Sequence, residues 1–507
     1  MPRKPEPHRR NFLQGAAAAA SLVGVAGSSV SAAPGSAPNP IPAENAKEGT
    51  TDWQLTYVRV DPKTKYRSPW IEGYVSHSSI QAGETLDLFV STQPAAKFRV
   101  DFYRLGYYGG TGGRHVLSLG PFPGKVQPDP PIGEHRLREC RWEKTTSLKI
   151  PADWPSGVYL GKLSLVEGRY QSYVVFIVRD ERPADIVFQC SDNTWQAYNR
   201  WPDQFSLYDN GQSAWNLIPG VDVGYDRPYG LYCQIFENPL SVGSGEFLLW
   251  EFPFAYWLEQ HGYDVTYCSN TDVHANARCA ARGKVFLSVG HDEYWSLEQF
   301  QHVKHAVEGG TNVGFFSGNT CCFVAPLRPS TAGVANRVLT RAGRYGGVSE
   351  KEKGVMGPFP IDGPNEATLI GARTTSPFNG SADWVVSKPG HWLFEGTGMK
   401  AGDGIPGLVG WEFQGEPATQ IPGLEIVAEG TSLNGGGKDA HWTATIYPGP
   451  KQNFVFNAST IFWSQGLASP PGHMLPYAHF GRPHGPDRRV QRITANFLAR
   501  CGATKSP

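Results

Sequence analysis

A cluster of titratable and aromatic side chains follows directly after an apolar run near the middle of the chain. The run 284–289 leads into His291, Asp292, Glu293 and Tyr294. Imidazole and carboxylate groups transfer protons, and phenolate and carboxylate oxygens bind hard metal ions. Because polar groups collect where a buried parallel strand ends, the pattern predicts a strand that stops at a catalytic or metal site.

A second polar cluster follows the next apolar run. Residues 297–307 are predicted to form a helix ended by glycine, and the run 311–316 then leads to Asn319. The order predicts two neighbouring strands with a crossover helix between them. Asn319 would therefore lie beside the first cluster, where its amide can stabilise a developing oxyanion.

The composition is that of a soluble globular protein and excludes some classes of partner. The chain has 507 residues, with 46 Lys and Arg against 46 Asp and Glu. This balance argues against nucleic acid or an anionic membrane as the main partner. The 59 glycines and 41 prolines predict many turns and long ordered loops.

The first 33 residues resemble a twin-arginine signal peptide. They combine a basic region containing Arg9 and Arg10, a mildly apolar run and small residues near Ala32. We therefore expect export to the periplasm or the extracellular space. The apolar run is shorter than the roughly 20 residues that span a bilayer, and no other segment is apolar enough to cross one.

The rest of the chain divides by its pattern into a linker and two domains. Residues 34–50 are rich in Pro, Ala and Asn and are predicted to be a disordered linker. Short alternating runs predict an antiparallel, Ig-like β-sandwich at 51–181. Alternating strands and helices predict an α/β domain with a mainly parallel sheet at 182–507. Regular alternation fades at 323–440, which is predicted to be a β-rich insertion.

Five motifs lie between residues 194 and 412. They are Thr194-Trp195-Gln196-Ala197-Tyr198-Asn199, Asp226-Arg227-Pro228-Tyr229, Gly290-His291-Asp292-Glu293-Tyr294-Trp295-Ser296, Phe316-Ser317-Gly318-Asn319 and Gly410-Trp411-Glu412. Together they resemble one enzyme family, the large (beta) subunit of N,N-dimethylformamidase. Family membership implies a glutamine amidotransferase-like (flavodoxin-like) α/β core. For the founding enzyme it also implies hydrolysis of a small amide at a mononuclear iron, Fe(III), held by two tyrosines and a glutamate. A small companion subunit or a homo-oligomer is the expected assembly.

The resemblance assigns the two tyrosine ligands unequally. Tyr294 lies within a family motif at the end of a predicted core strand and is the first candidate. Tyr256 lies in a predicted helix upstream and is the second. Phe252 occupies an alternative position in the same helix, where a tyrosine would be natural. If the family's second ligand falls at 252, this chain has lost it.

The carboxylate ligand and the proton carriers are assigned in the same way. Glu412 is the chosen carboxylate, with Glu350 and Glu352 as competitors in the insertion. His291 and Glu293 flank Tyr294 and are predicted to handle the proton that goes to the leaving amine.

Two other functions remain open on the sequence alone. Cys321 and Cys322 follow a predicted strand, as the nucleophile does in many amidotransferase-like hydrolases, although no Gly-x-Cys-x-Gly appears. A cysteine-dependent hydrolase is therefore one alternative. The other is a non-catalytic protein whose sandwich and pocket bind a component of the cell envelope.

Overall fold

The computed structural model describes residues 38–231, 241–348, 356, 358–374, 380–410, 412–433, 439–476 and 485–505. The signal peptide predicted at 1–33 and the competing ligands Glu350 and Glu352 lie outside these ranges. Within them, no helix is both long and apolar enough to cross a membrane.

Short helices alternate with many strands along the described chain. The α-helices are α1 Ile41–Asn45, α2 Asp192–Tyr198, α3 Phe247–Trp250, α4 Phe252–Gln260, α5 Asn270–Ala275, α6 Ala277–Ala281, α7 Leu297–Gly309, α8 Ala367–Ile370 and α9 Arg488–Arg500. Single 3-10 turns lie at Tyr108–Gly110, Glu134–Arg136, Trp392–Phe394 and Trp463–Gly466.

The strands fall into an amino-terminal group and a larger carboxyl-terminal group. The first group is β1 Glu72–Val75, β2 Ser79–Gln81, β3 Thr85–Ser91, β4 Lys97–Leu105, β5 Gly113–Pro123, β6 Thr146–Lys149, β7 Gly157–Leu165 and β8 Gln171–Arg179. The second is β9 Ala184–Cys190, β10 Asp222–Gly224, β11 Val265–Ser269, β12 Gly283–His291, β13 Tyr294–Trp295, β14 Asn312–Gly318, β15 Phe323–Val324, β16 Leu327–Arg328, β17 Val338–Thr340, β18 Gly343–Tyr345, β19 Ile361–Gly363, β20 Ala372–Thr374, β21 Ala382–Val385, β22 Gly404–Val409, β23 Gln414–Pro417, β24 Glu425–Leu433, β25 Asp439–Pro448 and β26 Phe454–Asn457.

The amino-terminal strands form two sheets, in the orders β1-β3-β6 and β2-β8-β7-β4-β5. Apolar side chains from both sheets share one core, which includes Leu88, Val100 and Phe176. All pairs are antiparallel except β2 with β8, which run parallel. The predicted alternation of buried and more exposed residues is seen in β3 and β6, whereas β7 and β8 are buried on both faces. The domain boundaries at 51–181 and 182–507 stay a prediction.

Part of the segment predicted to be a disordered linker is folded. Helix α1 lies within it, and Ile41 and Glu44 of that helix are buried. Glu44 forms an ion pair with Arg114 of β5 at 2.7 Å. The composition of 34–50 misled the prediction, since one isoleucine and one glutamate suffice to anchor a short segment.

The largest sheet has seven strands in the order β11-β9-β12-β14-β26-β25-β24. The first five are paired in parallel, and β25 and β24 then add in antiparallel orientation. Strand β12 lies inside the sheet, and its interior residues Phe286, Leu287 and Val289 are fully buried.

The prediction of a flavodoxin-like, glutamine amidotransferase-like α/β domain was wrong. Strands make up 34% of the structure and helices only 19%, and several small mixed sheets accompany the large one. The physical reason lies in the connection from β14 to β26. In the described residues it contains the short helix α8, many short strands in separate small sheets, and then β24 and β25 of the large sheet, where a doubly wound fold would use a single crossover helix.

The predicted pair of neighbouring strands around a crossover helix is confirmed. Strands β12 and β14 pair in parallel, with His291 opposite Gly318, and α7 connects them. Helix α7 begins at the cap Ser296, whose hydroxyl accepts from the Gln299 N–H, and ends at Gly310 in the left-handed region at φ 106°. This pairing brings the ends of the two strands together.

A buried ion pair joins the amino-terminal sheets to the rest of the fold. Arg104 of β4 and Glu259 of α4 are both fully buried, and two hydrogen bonds of 2.8 and 3.0 Å connect them. The Tyr267 hydroxyl donates a third bond to Glu259 at 3.0 Å. Removal of one partner of such a pair leaves an uncompensated charge in a dry interior.

We expect Glu259→Ala to lower the free energy of unfolding by about 3–5 kcal/mol, because it leaves the Arg104 guanidinium buried without a carboxylate. The matched control is Glu143→Ala, which removes an exposed partner of Lys125 and should lower it by no more than about 1 kcal/mol. Urea denaturation measures both. Equal effects of the two substitutions would contradict this account of the interface.

Candidate functional site

Three tyrosine hydroxyls meet in the interior beyond the end of β12. Tyr198 closes α2, Tyr208 lies in the irregular segment after it, and Tyr294 begins β13. The Tyr294 hydroxyl donates to Tyr208 at 2.6 Å, and the Tyr208 hydroxyl donates to Tyr198 at 2.7 Å. The rings of Tyr198 and Tyr208 are stacked, with centroids 4.8 Å apart. These contacts form a continuous row of phenol oxygens.

The carboxylate of Glu293 accepts hydrogen bonds from this row of hydroxyls. The Tyr198 hydroxyl donates to Glu293 Oε2 at 2.7 Å, and the Tyr208 hydroxyl lies 3.3 Å from both carboxylate oxygens. Asn319 Nδ2 donates to Glu293 Oε1 at 2.9 Å. Glu293 is 1% exposed, so these donors replace the water that a carboxylate otherwise requires.

His291 lies between two carboxylates, Glu293 and Glu412. Its Nε2 is 2.6 Å from Glu412 Oε2 and 3.3 Å from Glu293 Oε2. Burial lowers the pKa of His291, but Glu412 and Glu293 outweigh it and raise the pKa well above its ordinary value. The imidazole therefore carries a proton near neutral pH.

Burial is the main influence on the pKa values of the three tyrosines. It raises the pKa of Tyr198, Tyr208 and Tyr294 well above the ordinary value, and the nearby charge of Glu293 raises it further. Without an additional positive charge, the three side chains are therefore neutral phenols at neutral pH.

A second fully buried arginine, Arg227, fixes the segment that carries the tyrosines. Its guanidinium donates to the carbonyls of Gln196, Asn199, Trp201 and Phe205, at 2.9–3.3 Å. These carbonyls lie on either side of Tyr198 and just before Tyr208. A planar guanidinium satisfies several fixed acceptors at once, which explains the arginine of the Asp-Arg-Pro-Tyr motif.

A polar network supports the strand ends from beneath. Asp292 accepts from Gln189 Nε2 at 2.5 Å, Ser288 Oγ at 2.7 Å and Asn270 Nδ2 at 2.9 Å. Burial raises the pKa of Asp292 to about 6, although the hydrogen bonds from Asn270 and Ser288 lower it. The Asp292 side chain therefore bonds to this network and not to the tyrosines, and it fixes the backbone between His291 and Glu293.

The structure brings five of the six predicted site residues together. His291, Glu293, Tyr294, Asn319 and Glu412 lie in one connected cluster. Tyr256 lies elsewhere: its hydroxyl donates to the Gly110 carbonyl at 3.3 Å, and its ring packs against Tyr107. The alternative position, Phe252, packs against Trp53 and Phe247. Helix α4 therefore faces the amino-terminal sheets.

Sequence reasoning missed two tyrosines of the cluster. The sequence did carry a signal for Tyr198, because this residue lies in the Thr194–Asn199 motif shortly after β9, and β9 pairs with β12. Tyr208 carries none, since it lies in an irregular segment without a recognisable motif. Its place depends on tertiary contacts alone.

Conventional metal ligands do not define this site. Within the described ranges, no group of three or more His, Cys, Asp or Glu side chains is arranged to hold a metal ion. The oxygen donors that converge are instead phenols together with Glu293. Hard oxygen donors of this kind suit Fe(III).

The cysteines lack the environment of a nucleophile. Cys321 and Cys322 are fully buried, and burial raises the pKa of Cys321 well above its ordinary value. A catalytic thiol needs the opposite shift, toward the thiolate. These observations disfavour the cysteine-dependent alternative.

The site is thus a buried cluster of phenols and carboxylates at the ends of two parallel strands. The family model for N,N-dimethylformamidase beta subunit-like proteins, C-terminal region, matches residues 99–477. The chain therefore belongs to that family, as its motifs predicted, and the match also takes in much of the amino-terminal sheets. The description as a beta subunit implies a companion subunit. No curated protein matches the chain.

We expect Gly318→Ala to disturb the site and the fold together. A Cβ there would overlap the Glu412 carbonyl oxygen and lie 2.5 Å from the Ile461 nitrogen, so the segment that carries Glu412 must shift. Overpacking of this kind lowers the free energy of unfolding by about 1–3 kcal/mol.

The control for that substitution is Gly309→Ala at the end of α7, where a Cβ meets nothing within 4 Å. It should leave stability unchanged or raise it by up to about 1 kcal/mol. Urea denaturation distinguishes the two. A Gly318→Ala protein as stable as wild type would show that the contact with Glu412 is not tight.

Proposed function

We propose that this protein hydrolyses the carbon–nitrogen bond of a small amide with the help of an Fe(III) ion bound by Tyr198, Tyr208 and Glu293. The observation that carries the proposal is the convergence of these oxygens. Tyr198 and Tyr208 are 2.7 Å apart at their hydroxyls, and both contact the carboxylate of Glu293. The ligand set implied by the family, two tyrosines and one glutamate, matches this group.

The residues present fit such an ion by their chemistry. All three donors are hard oxygens, and all three side chains are buried. A cation of high charge would counteract the burial that keeps the phenols neutral. Tyr294 donates its own hydrogen to Tyr208 and therefore supports the donor set from outside.

The ion would supply Lewis acidity toward the amide carbonyl and toward a water molecule. The chain's own residues supply orientation and proton transfer. In the overall reaction, water oxygen bonds to the carbonyl carbon, the C–N bond breaks, and the amine nitrogen gains one proton.

His291 and Glu412 are suited to move that proton. The imidazole is charged near neutral pH, and its Nε2 lies 2.6 Å from Glu412 Oε2. A protonated imidazole can donate its proton to the leaving nitrogen. When His291 is protonated again, the Glu412 carboxylate stabilises the positive charge of the imidazole. Glu293 is held by the phenols and by Asn319, so its role shifts from the predicted proton carrier to a ligand.

Asn319 serves the site in two ways. One amide hydrogen fixes Glu293 Oε1, and Nδ2 carries a second hydrogen that can donate to the substrate carbonyl oxygen. Tyr198 and Trp250 flank His291 with ring centroids 5.3 and 6.5 Å away. Aromatic walls of this kind exclude water and strengthen the polar interactions inside.

We also propose export by the twin-arginine route, in complex with a small companion subunit. Arg9 and Arg10 support the route. The seven cysteines in the described ranges are all free and buried, which agrees with folding in a reducing compartment before export.

The ligand assignment is tested by three conservative variants. Tyr208→Phe and Glu293→Gln each remove one donor and should lower stoichiometric iron roughly tenfold or more, with loss of hydrolysis of a simple formamide. Tyr256→Phe should retain both, because its hydroxyl contacts only Gly110 in the described structure. Metal analysis of purified protein provides the measurement. Iron lost in Tyr256→Phe and kept in Tyr208→Phe would reverse the assignment.

The proton-transfer role is tested by Glu412→Gln. This variant removes the carboxylate that holds the charged His291, so we expect turnover to fall about 10²–10⁴-fold. Iron content should stay near that of wild type, because Glu412 contacts His291 and is not in the proposed ligand set. Steady-state kinetics with parallel metal analysis shows the difference. Full activity in Glu412→Gln would exclude this role.

A further inference from the structure

Thr194 contacts the backbone of Glu293, the carboxylate of the proposed ligand set. It lies in α2 and is fully buried. Its Oγ1 accepts from the Glu293 N–H at 3.0 Å. Glu293 lies in the link between β12 and β13, outside both strands, so its N–H belongs to no strand ladder. A buried backbone N–H requires an acceptor, and the threonine hydroxyl supplies it.

Helix α2 holds Glu293 at two points. Thr194 and Tyr198 are four residues apart, which places them on the same face of the helix. The Tyr198 hydroxyl donates to Glu293 Oε2 at 2.7 Å, while Thr194 accepts from the Glu293 N–H. One helical turn therefore contacts both the backbone and the carboxylate of the same residue.

The turn after β14 fixes the other side of this backbone. The Asp292 carbonyl accepts from the Cys321 N–H at 2.9 Å, and the Glu293 carbonyl accepts from the Phe323 N–H at 3.1 Å. The peptide groups of Glu293 are thus clamped between α2 and the segment 321–323. The hydrogen bond to Thr194 is the contribution of α2 to this clamp.

The bond to Thr194 differs from the phenol bonds in its dependence on the metal. Phenols that bind a metal ion as phenolates lose their hydroxyl hydrogens, so in that state Tyr198 and Tyr208 no longer donate to Glu293. The Glu293 N–H and the Thr194 hydroxyl are outside the proposed ligand set. Their hydrogen bond does not depend on those hydrogens, and neither does the bond from Asn319 to Glu293 Oε1.

We propose that Thr194 is a positioning residue that fixes the backbone of Glu293, so that the carboxylate stays in place when the phenols give up their hydrogens to bind the metal. The metal itself rests on the proposed function. A ligand whose backbone is already held in the metal-free fold binds more tightly, because less order has to be gained on binding. Thr194 holds the backbone of Glu293, and Asn319 holds its carboxylate.

The iron-dependent test compares Thr194→Val with Thr194→Ser. Valine keeps the branched shape but removes the acceptor, so retention of iron against a chelator should fall roughly tenfold or more, as for other groups that support a metal ligand. Serine keeps the hydroxyl and should restore most of the retention. Wild-type retention in Thr194→Val, or an equal loss in Thr194→Ser, overturns the proposal.

The matched control is Thr494→Val in α9. Thr494 is also fully buried, and its hydroxyl accepts from Trp463 Nε1 at 2.9 Å. Its replacement should lower the unfolding temperature about as much as Thr194→Val does, because each leaves one buried N–H without an acceptor. Iron retention should change only in Thr194→Val. Equal loss of iron in both variants would trace the effect to general destabilisation and overturn the proposal.

A second test needs no iron. In metal-free protein, Thr194→Val should speed the exchange of the Glu293 amide hydrogen with deuterium, measured by mass spectrometry on peptides that span 291–295. Thr194→Ser and Thr494→Val should leave that exchange slow. Unchanged exchange in Thr194→Val overturns the inference even if wild-type protein binds iron. Faster exchange in a protein that never binds iron retains the hold on Glu293 and overturns the proposed function together with the link to the metal.

Discussion

The site depends on the burial of one carboxylate, Glu293, in a place that water does not reach. A buried carboxylate is tolerated only when several donors replace its hydration. Here the donors come from segments far apart in the chain: Tyr198 from the end of α2, Tyr208 from an irregular segment and Asn319 from the turn after β14. The fold must hold these segments at hydrogen-bond distance, and the features around the site follow from that requirement.

Two kinds of support meet the requirement. Parallel pairing of β12 with β14 places the two strand ends side by side, and the Asp292 network fixes the turn between His291 and Glu293. Arg227 provides the other support, because its guanidinium gathers backbone carbonyls around Tyr198 and Tyr208. The first support belongs to regular secondary structure. The second fixes the backbone of an irregular segment and so positions the tyrosine side chains that it carries.

These two supports also explain what the sequence could predict. The strand pair, the crossover helix and the cluster around His291 were predictable, since apolar runs ending in polar residues report burial and strand ends. Tyr208 was not, because its position depends on contacts of the Arg227 guanidinium with backbone carbonyls of the irregular segment. Tyr256 was assigned from helical context alone, whereas α4 packs its face against the amino-terminal sheets. The prediction of a flavodoxin-like fold was wrong for a similar reason. Local alternation of strand and helix patterns does not reveal that small sheets replace a crossover helix.

The central claim is that Tyr198, Tyr208 and Glu293 together hold a single iron ion. Anomalous X-ray scattering from crystals of natively expressed protein, collected on both sides of the iron absorption edge, tests it most directly. The account predicts one strong iron peak within bonding distance of these three side chains, with Tyr294 adjacent to it. A peak beside Tyr256, or crystals of active protein without an iron peak, would contradict it.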